Sequence, residues 1–476
     1  MRGLVWFKDD LRIHDNPALY QAAQQCEAGV IAVYILDPGM WKKHDTSACR
    51  VDFTLRGLKE LKANLKKLNI PFILQKVKTT AAIPAALVKI AKAAAADALF
   101  YNQQYEVNEH RRDAAVAAAF KKANREIFSF HDQVILLPGL VKTQTGKYYS
   151  VFTPFKRAWI KAFKQLHIQA LPAPKLQKTK LRLKIKTLAI PTSLPGFKST
   201  VDAALWPAGE AAAQQRLKKF LTKNLFNYKK ERDYPALDST SKLSAYLAAG
   251  MISPRQCFLA ALARNHHEID SGNIGAVTWL GELIWREFYR NILVAVPRVS
   301  MHKAYQTETD KLRWDFNEKQ FKAWQTGQTG FPFIDAAMRQ LRTMGWMHNR
   351  LRMVVAMFLT KNLFFDWRHG EKYFIENLID GDLASNNGGW QWSASTGTDA
   401  APYFRIFNPI TQSKNYDPEG KFILKYCPEL TGLNKKSLHE PYKYEPEKTA
   451  KQGYPKPIID LNQKRERVLK AYKTAR

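Results

Sequence analysis

The chain has 476 residues, 46% of them apolar, and 74 Lys+Arg against 42 Asp+Glu, for a net charge of +32. That length allows two or three domains with sizeable cores, and the apolar content excludes wholesale disorder. The charge points to a polyanionic partner, either nucleic acid or an anionic membrane face.

Residues 1 to about 130 alternate short apolar runs with helical patterns. Gly3–Phe7, Val30–Ile35, Phe72–Leu74, Ala98–Tyr101 and Ile127–Phe130 read as strands, with amphipathic segments near 17–26, 51–68, 84–96 and 106–124. Such alternation predicts a parallel sheet with helices on both faces and a crevice beyond the carboxyl ends of the strands. No GxGxxG follows the first strand, so the dinucleotide fingerprint is absent. From Gln133 to Val201 there is no Asp or Glu, and Lys175–Lys186 sets basic residues at nearly alternate positions. With Pro172, Pro174, Pro191 and Pro195 opposing long helices, this stretch reads as an extended connection over the surface. Beyond residue 210 helical patterns dominate (214–226, 254–265, 274–294, 331–343, 346–364, 371–377), and tryptophans become frequent. The expected organisation is an α/β domain (1–131), a linker (132–204) and an all-α domain (205–476).

Cys26, Cys49, Cys257 and Cys427 lie far apart with no CxxC pair, against a disulfide framework or a thiolate zinc site. No metal site is expected. The N-terminus opens into strand-like sequence rather than a signal peptide, and no apolar run reaches membrane-spanning length. A soluble, cytoplasmic protein is expected.

Four strings in the helical region carry chemistry. Thr240-Ser241-Lys242-Leu243-Ser244 precedes a helix pattern and offers hydroxyls, N–H groups and a Lys to a phosphate, although an ordinary N-cap explains so short a string more simply. In Trp279–Arg290, a helix puts Glu282, Trp285, Arg286 and Tyr289 on one face, suited to stacking on a base as well as to a plain surface ion pair. Gly345–Met353 opens another helix with Asn349, Arg352 and Met353 on one face, where a lone His348 is more often packed than catalytic. Asp380–Trp392 packs two carboxylates, three carboxamides (two of them adjacent), three glycines and two tryptophans into thirteen residues. That density suits a large planar ligand, while turn chemistry accounts for the DGD and NNGG parts on their own.

Together with Trp6-Phe7-Lys8-Asp9-Asp10-Leu11-Arg12-Ile13-His14-Asp15-Asn16 near the start, and with TSKLS, ELIWREFY, WMHNRLRM, DGDLASNNGGWQW and TGTDAAPYFRIFNP later, these strings resemble the photolyase/cryptochrome family. The resemblance extends over essentially the whole chain and is to the bacterial, folate-type class I enzymes that repair cyclobutane pyrimidine dimers. It implies a five-stranded parallel Rossmann-like domain joined to a helical domain that holds FAD, active as FADH⁻. By motif, Tyr228, Thr240, Ser241, Lys242, Leu243, Ser244 and Arg286 would meet the phosphates and ribityl chain of FAD. Asn349, Arg352, Asp380, Asp382 and Asn386 would surround the flavin and its sugar side, with Asp380 paired to Arg352 and Asn386 facing flavin N5.

The same resemblance puts Trp285 and Trp392 against the flipped dimer, with Glu282, Asn349 and Met353 beside it. Arg232, Arg350 and Arg405 would meet DNA phosphates. Trp314, Trp367 and Trp390 would form an electron chain that photoreduces the flavin. His44, Asn108 and Glu109 would bind a 5,10-methenyltetrahydrofolate antenna. Two departures stand out: Lys242 replaces a common Arg, which loses bidentate geometry, and Met301 falls where relatives line the folate site with a basic residue. The implied function is light-driven electron transfer to a dimer in DNA by a monomeric enzyme. The alternative is a cryptochrome-type blue-light sensor. A (6-4) photolyase would carry histidines where this chain has Asn349 and Met353.

Overall fold

The structure is a computed structural model that describes every residue except Arg182 and Arg476, and every side chain except also that of Gln463. Five parallel strands, β1 (Gly3–Phe7), β2 (Val30–Leu36), β3 (Phe72–Lys76), β4 (Ala98–Asn102) and β5 (Glu126–Phe130), form one sheet in the order β3-β2-β1-β4-β5. Every residue of β1, β2 and β4 is buried, as expected of central strands covered on both faces. Helices 17–25, 48–67, 83–93 and 107–122 supply the cover. Ser47 caps the second of these by accepting from Arg50 N at 3.1 Å, so it begins three residues before its apolar period suggests.

The polypeptide forms two compact units. The first holds Met1–Ser199, Ala203–Phe226 and Ser241–Pro297; the second holds Thr200–Asp202, Asn227–Thr240 and Arg298–Arg476. Within the first, a buried charge network binds the sheet to the helix Pro254–Arg264. Arg12 pairs with Asp132, while Arg255 Nε donates to Asp15 at 3.0 Å and its Nη2 to Asp132 at 3.0 Å. These groups survive burial because each charge is paired and hydrogen-bonded. Gly250 (φ +64) lies so close to the β1 loop that a Cβ would meet Asp9 O at 2.0 Å.

Residues 152–164, inside the stretch that reads as an extended connection, form a helix. Phe152, Phe155, Trp159, Ile160 and Phe163 are buried along one face of it, the stripe that carries an amphipathic helix into a core. In the second unit the segment 346–364 is not one helix. An α-helix, Asn349–Met357, passes into a π-turn at Phe358–Asn362. The dense polar string near 380 is no long turn either: Leu383–Ser393 is helical, with Asp382 as its N-cap accepting from Ser385 N at 3.1 Å.

Candidate functional site

In the first unit the helix Ile274–Ala295 starts at Asn273, whose side chain accepts from Gly275 N and Ala276 N. Glu282, Trp285, Arg286 and Tyr289 are half-buried while Leu283, Ile284, Glu287 and Phe288 are buried, so the half-open face is the one that 3.6-residue spacing predicts. Trp285 lies flat against Phe152, with ring centroids 3.6 Å apart and planes at 11°. Arg286 donates to Gln133 O. Glu287, one residue on, accepts from Ile135 N and, at 2.6 Å, from Trp159 Nε1, and burial raises its carboxyl pKa to about 7. That carboxylate fixes the helix against the chain following β5.

Ser241, Lys242 and Leu243 form a tight bend leading into the short helix Ser244–Ala248. Leu243 N donates to Ser241 Oγ at 3.4 Å, and Lys242 takes φ +49, a left-handed conformation uncommon for a non-glycine residue. Successive N–H groups in such a bend make an anion-binding concavity. A five-residue helix has little dipole, so attraction for a phosphate rests on this bend and on Lys242. Also in the first unit, Asn108 Nδ2 lies 3.4 Å from His44 Nε2. Glu109 is buried and its Oε2 has no partner among the described residues.

The second unit holds the remaining motif residues. Asn349 opens its helix and is exposed, with Arg352 and Met353 half-buried beside it. Arg352 Nη2 donates to Asp380 Oδ2 at 2.7 Å and its Nε to Met347 O at 2.9 Å. Asp380 is 6% exposed, and its other oxygen, Oδ1, is buried with no partner among the described residues. An unsatisfied buried carboxylate oxygen is costly and calls for a donor; the ring N–H of a flavin is one. Asn386 points its Nδ2 to Glu371 O at 3.0 Å, which leaves its Oδ1 as the acceptor on the opposite side. Its neighbour Asn387 donates to Glu371 Oε1 at 2.8 Å and accepts from Gln391 Nε2 at 2.7 Å. Asp382 is occupied in capping and reaches Ser385 Oγ at 2.5 Å as well.

Tyr228 is buried beneath Arg232, whose guanidinium carbon lies 5.4 Å from the ring centre; Thr240 is half-buried. Arg350 pairs with Asp233 at 2.9 Å and lies 4.3 Å over Tyr416. Arg405 is exposed and lies over Phe407 at 5.6 Å. Trp390 and Trp367 are buried, at 2% and 0% exposed, while Trp314 and Trp392 are half-buried. Trp390 packs edge-on to Phe374 at 4.9 Å and to Trp324 at 6.1 Å. Its ring also rests on Gly370, where a Cβ would come within 2.1 Å. Gly370 is one helical turn from Trp367 in Trp367–Asn377. Trp314 contacts Phe364 at 5.0 Å and Tyr472 at 6.3 Å.

Two supporting residues escaped the sequence reading, and a third, His348, is packed as that reading has it. Phe152 was visible only through the period of its own helix. Gly370 needs the fold to show what crosses it. His348 accepts from Arg350 N through Nδ1 at 3.2 Å, and burial pushes its pKa down to about 4.

In the second unit, the acceptors left open at Asp380 and Asn386 fit a planar ring that carries N–H donors; in the first, the left-handed bend at Lys242 fits a phosphate. Residues 3–175 match the family model for DNA photolyase, and residues 279–474 that for the FAD binding domain of DNA photolyase. A deoxyribodipyrimidine photo-lyase of Salmonella typhimurium is 45% identical over 473 residues, covering 99% of this chain and 98% of that protein. Among solved structures, a class III photolyase from Agrobacterium tumefaciens superposes with a TM-score of 0.88 at 33% identity, covering 100% of this chain and 97% of the other. A Synechocystis cryptochrome gives 0.89 at 27%, covering 99% of both. The chain belongs to the DNA photolyase family.

Proposed function

We propose that the protein is a deoxyribodipyrimidine photo-lyase that repairs cyclobutane pyrimidine dimers in DNA under light, with FAD as its cofactor. The observation that carries this reading is 45% identity over nearly the whole chain to a named photo-lyase, joined to an intact ELIWREFY helix. When bound, reduced FAD excited by light would supply an electron to the dimer, whose ring bonds would split, and the electron would return to the flavin, leaving no net redox change. This chain's residues hold, orient and shield.

Arg352 pairs with Asp380 and aims it, so that Oδ1 would accept from the flavin ring, and Asn386 would offer its neutral carbonyl to N5 without a fixed charge. Tyr228, Thr240–Ser244, Arg286, Asn349 and Asp382 bind the rest of the cofactor. Trp285 and Trp392 stack on the extruded pyrimidines, and Glu282 hydrogen-bonds their edge with Asn349 and Met353 alongside. A damaged base is already easier to unstack, which favours its extrusion over that of an intact one. Arg232, Arg350 and Arg405 engage phosphates; for Arg350 this means exchanging Asp233 for the DNA backbone. Trp390, Trp367 and Trp314 relay electrons to the flavin, Trp314 being the half-buried member and the other two buried.

His44, Asn108 and Glu109 bind a folate-type antenna, a reading supported by the unpaired oxygen of Glu109. The same reading takes the protein as a cytoplasmic monomer. A blue-light sensor is the second reading, favoured by the likeness to the cryptochrome. Illumination of the purified protein with dimer-containing oligonucleotide separates the two: restored pyrimidines establish repair, and bound flavin without restoration establishes a sensor.

A further inference from the structure

Apart from Arg182, the stretch between Lys175 and Leu188 runs from the turn at Leu68–Asn69 to the β3 edge of the sheet at Leu74. Gln177 N donates to Leu68 O at 3.0 Å, and Leu188 N to Leu74 O at 3.0 Å. Thr187 Oγ1 accepts from Leu74 N at 2.9 Å. Between these anchors Leu181, Leu183 and Ile185 pack on the sheet's apolar cluster, whereas Lys178, Lys180, Lys184 and Lys186 are exposed. The extended backbone thus sorts its side chains, apolar inward and ammonium groups outward. None of the four lysines is hydrogen-bonded or ion-paired to a described residue. No acidic residue occurs anywhere between 133 and 201.

A row of unneutralised cations fixed by its apolar side is more than a solvated loop. Lys184 and Lys186 are about 6.6 Å apart along an extended chain, close to the roughly 6.8 Å that two phosphates of one DNA strand advance. The row also stands clear of the helix bearing Trp285, which is held through Gln133 and Ile135 just beyond β5. β3 and β5 are opposite edges of the sheet, about 19 Å apart at four strand spacings. Nucleic acid suits the row better than lipid, because Leu181, Leu183 and Ile185 pack into the core and the exposed Leu176 and Leu188 lie only at its two ends.

We infer that this lysine row is a second nucleic-acid contact, taking the phosphate backbone of duplex DNA without regard to sequence or damage. The inference rests on the photolyase reading only in naming DNA as the polyanion. It is tested in the full-length protein carrying Lys178→Gln, Lys180→Gln, Lys184→Gln and Lys186→Gln together, exposed changes that leave the core intact. Binding to a short undamaged duplex is measured across a salt series. Affinity at low salt should fall about tenfold or more, and the salt slope should lose about one for each lysine in contact. Light-driven repair at saturating dimer DNA should stay unchanged. Unaltered affinity and slope would overturn the inference, as would binding to phosphatidylserine vesicles that depends on the four lysines while DNA binding does not. Absence of repair in both proteins would count against the photolyase reading alone, since duplex binding is read separately.

Discussion

Phe152 backs Trp285 ring on ring, with 3.6 Å between centroids, and the two residues come from helices more than a hundred positions apart. The stack fixes the indole plane and leaves its other face for a base. Phe152→Ala should weaken dimer-DNA binding by two- to tenfold, matching the about 0.5–1.5 kcal/mol of an aromatic pair. Repair at saturation should barely change, and Phe152→Tyr should restore affinity. Equal binding by wild type and the Ala variant would mean Phe288 and Tyr289 suffice to hold the indole.

Glu282 shares the half-open face with Trp285. Glu282→Ala should slow repair at saturating DNA by tenfold or more, an estimate based on the loss of a charge-assisted hydrogen bond worth about 1.5–3 kcal/mol. Flavin absorbance per protein should be unchanged; a colourless variant would reassign Glu282 to cofactor holding.

Asp380→Asn removes the partner of a guanidinium that is itself one-quarter exposed. Breaking a fully buried pair costs about 3–5 kcal/mol, and partial exposure of Arg352 reduces this to about 1–3 kcal/mol. The expected outcome is protein that folds, melts earlier and loses flavin on gel filtration. Full flavin retention would show that Oδ1 is not a cofactor contact.

Gly370→Ala places a methyl inside the Trp390 ring. Overpacking of this kind costs about 1–3 kcal/mol, so the melting temperature should drop. Because the indole must move away from the helix that begins at Trp367, photoreduction of oxidised flavin should slow while repair by chemically reduced enzyme persists. Photoreduction at the wild-type rate in a destabilised variant would detach Gly370 from the electron path.

His348 is neutral in the fold, its pKa lowered to about 4 by burial against the ordinary 6.5. Between these values the unfolded chain binds the extra proton and the native one does not. Stability is therefore fully present above pH 6.5 and is lost as pH falls toward 4. The loss between pH 7 and pH 5 should be on the order of 2 kcal/mol. His348→Asn keeps an N-capping side chain without the titration, and denaturant unfolding at both pH values should show a correspondingly flatter response. An unchanged pH dependence would place the sensitivity elsewhere.

The sheet was legible because β1, β2 and β4 are unbroken apolar runs separated by helical periods, a pattern with one common solution. The face of Glu282, Trp285 and Arg286 was legible for the same reason: helical spacing fixes it. The helix at Leu383–Ser393 was obscured by its own residues, since Asn386, Asn387, Gly388 and Gly389 all favour turns. It holds because Asp382 caps it and Glu371, from another helix, satisfies both carboxamides, a tertiary effect invisible in local propensity. The helix at 152–164 carried a clear apolar stripe and was masked by the basic, proline-bearing sequence that follows it. Asp380's pairing with Arg352 came from the resemblance, and its empty Oδ1 came only from coordinates.

The charge network of Arg12, Asp15, Asp132 and Arg255 has a consequence for any attempt to dissect the chain. A fragment ending at residue 131 would retain Arg12 and Asp15 but lose Asp132 and Arg255, leaving ions in an apolar interior without counterparts. Helix 254–264 is thus a permanent part of the α/β layer despite arriving more than a hundred residues later. The sheet is not a portable module, and the practical boundary for expressing it alone lies beyond the helix that ends at Ala295.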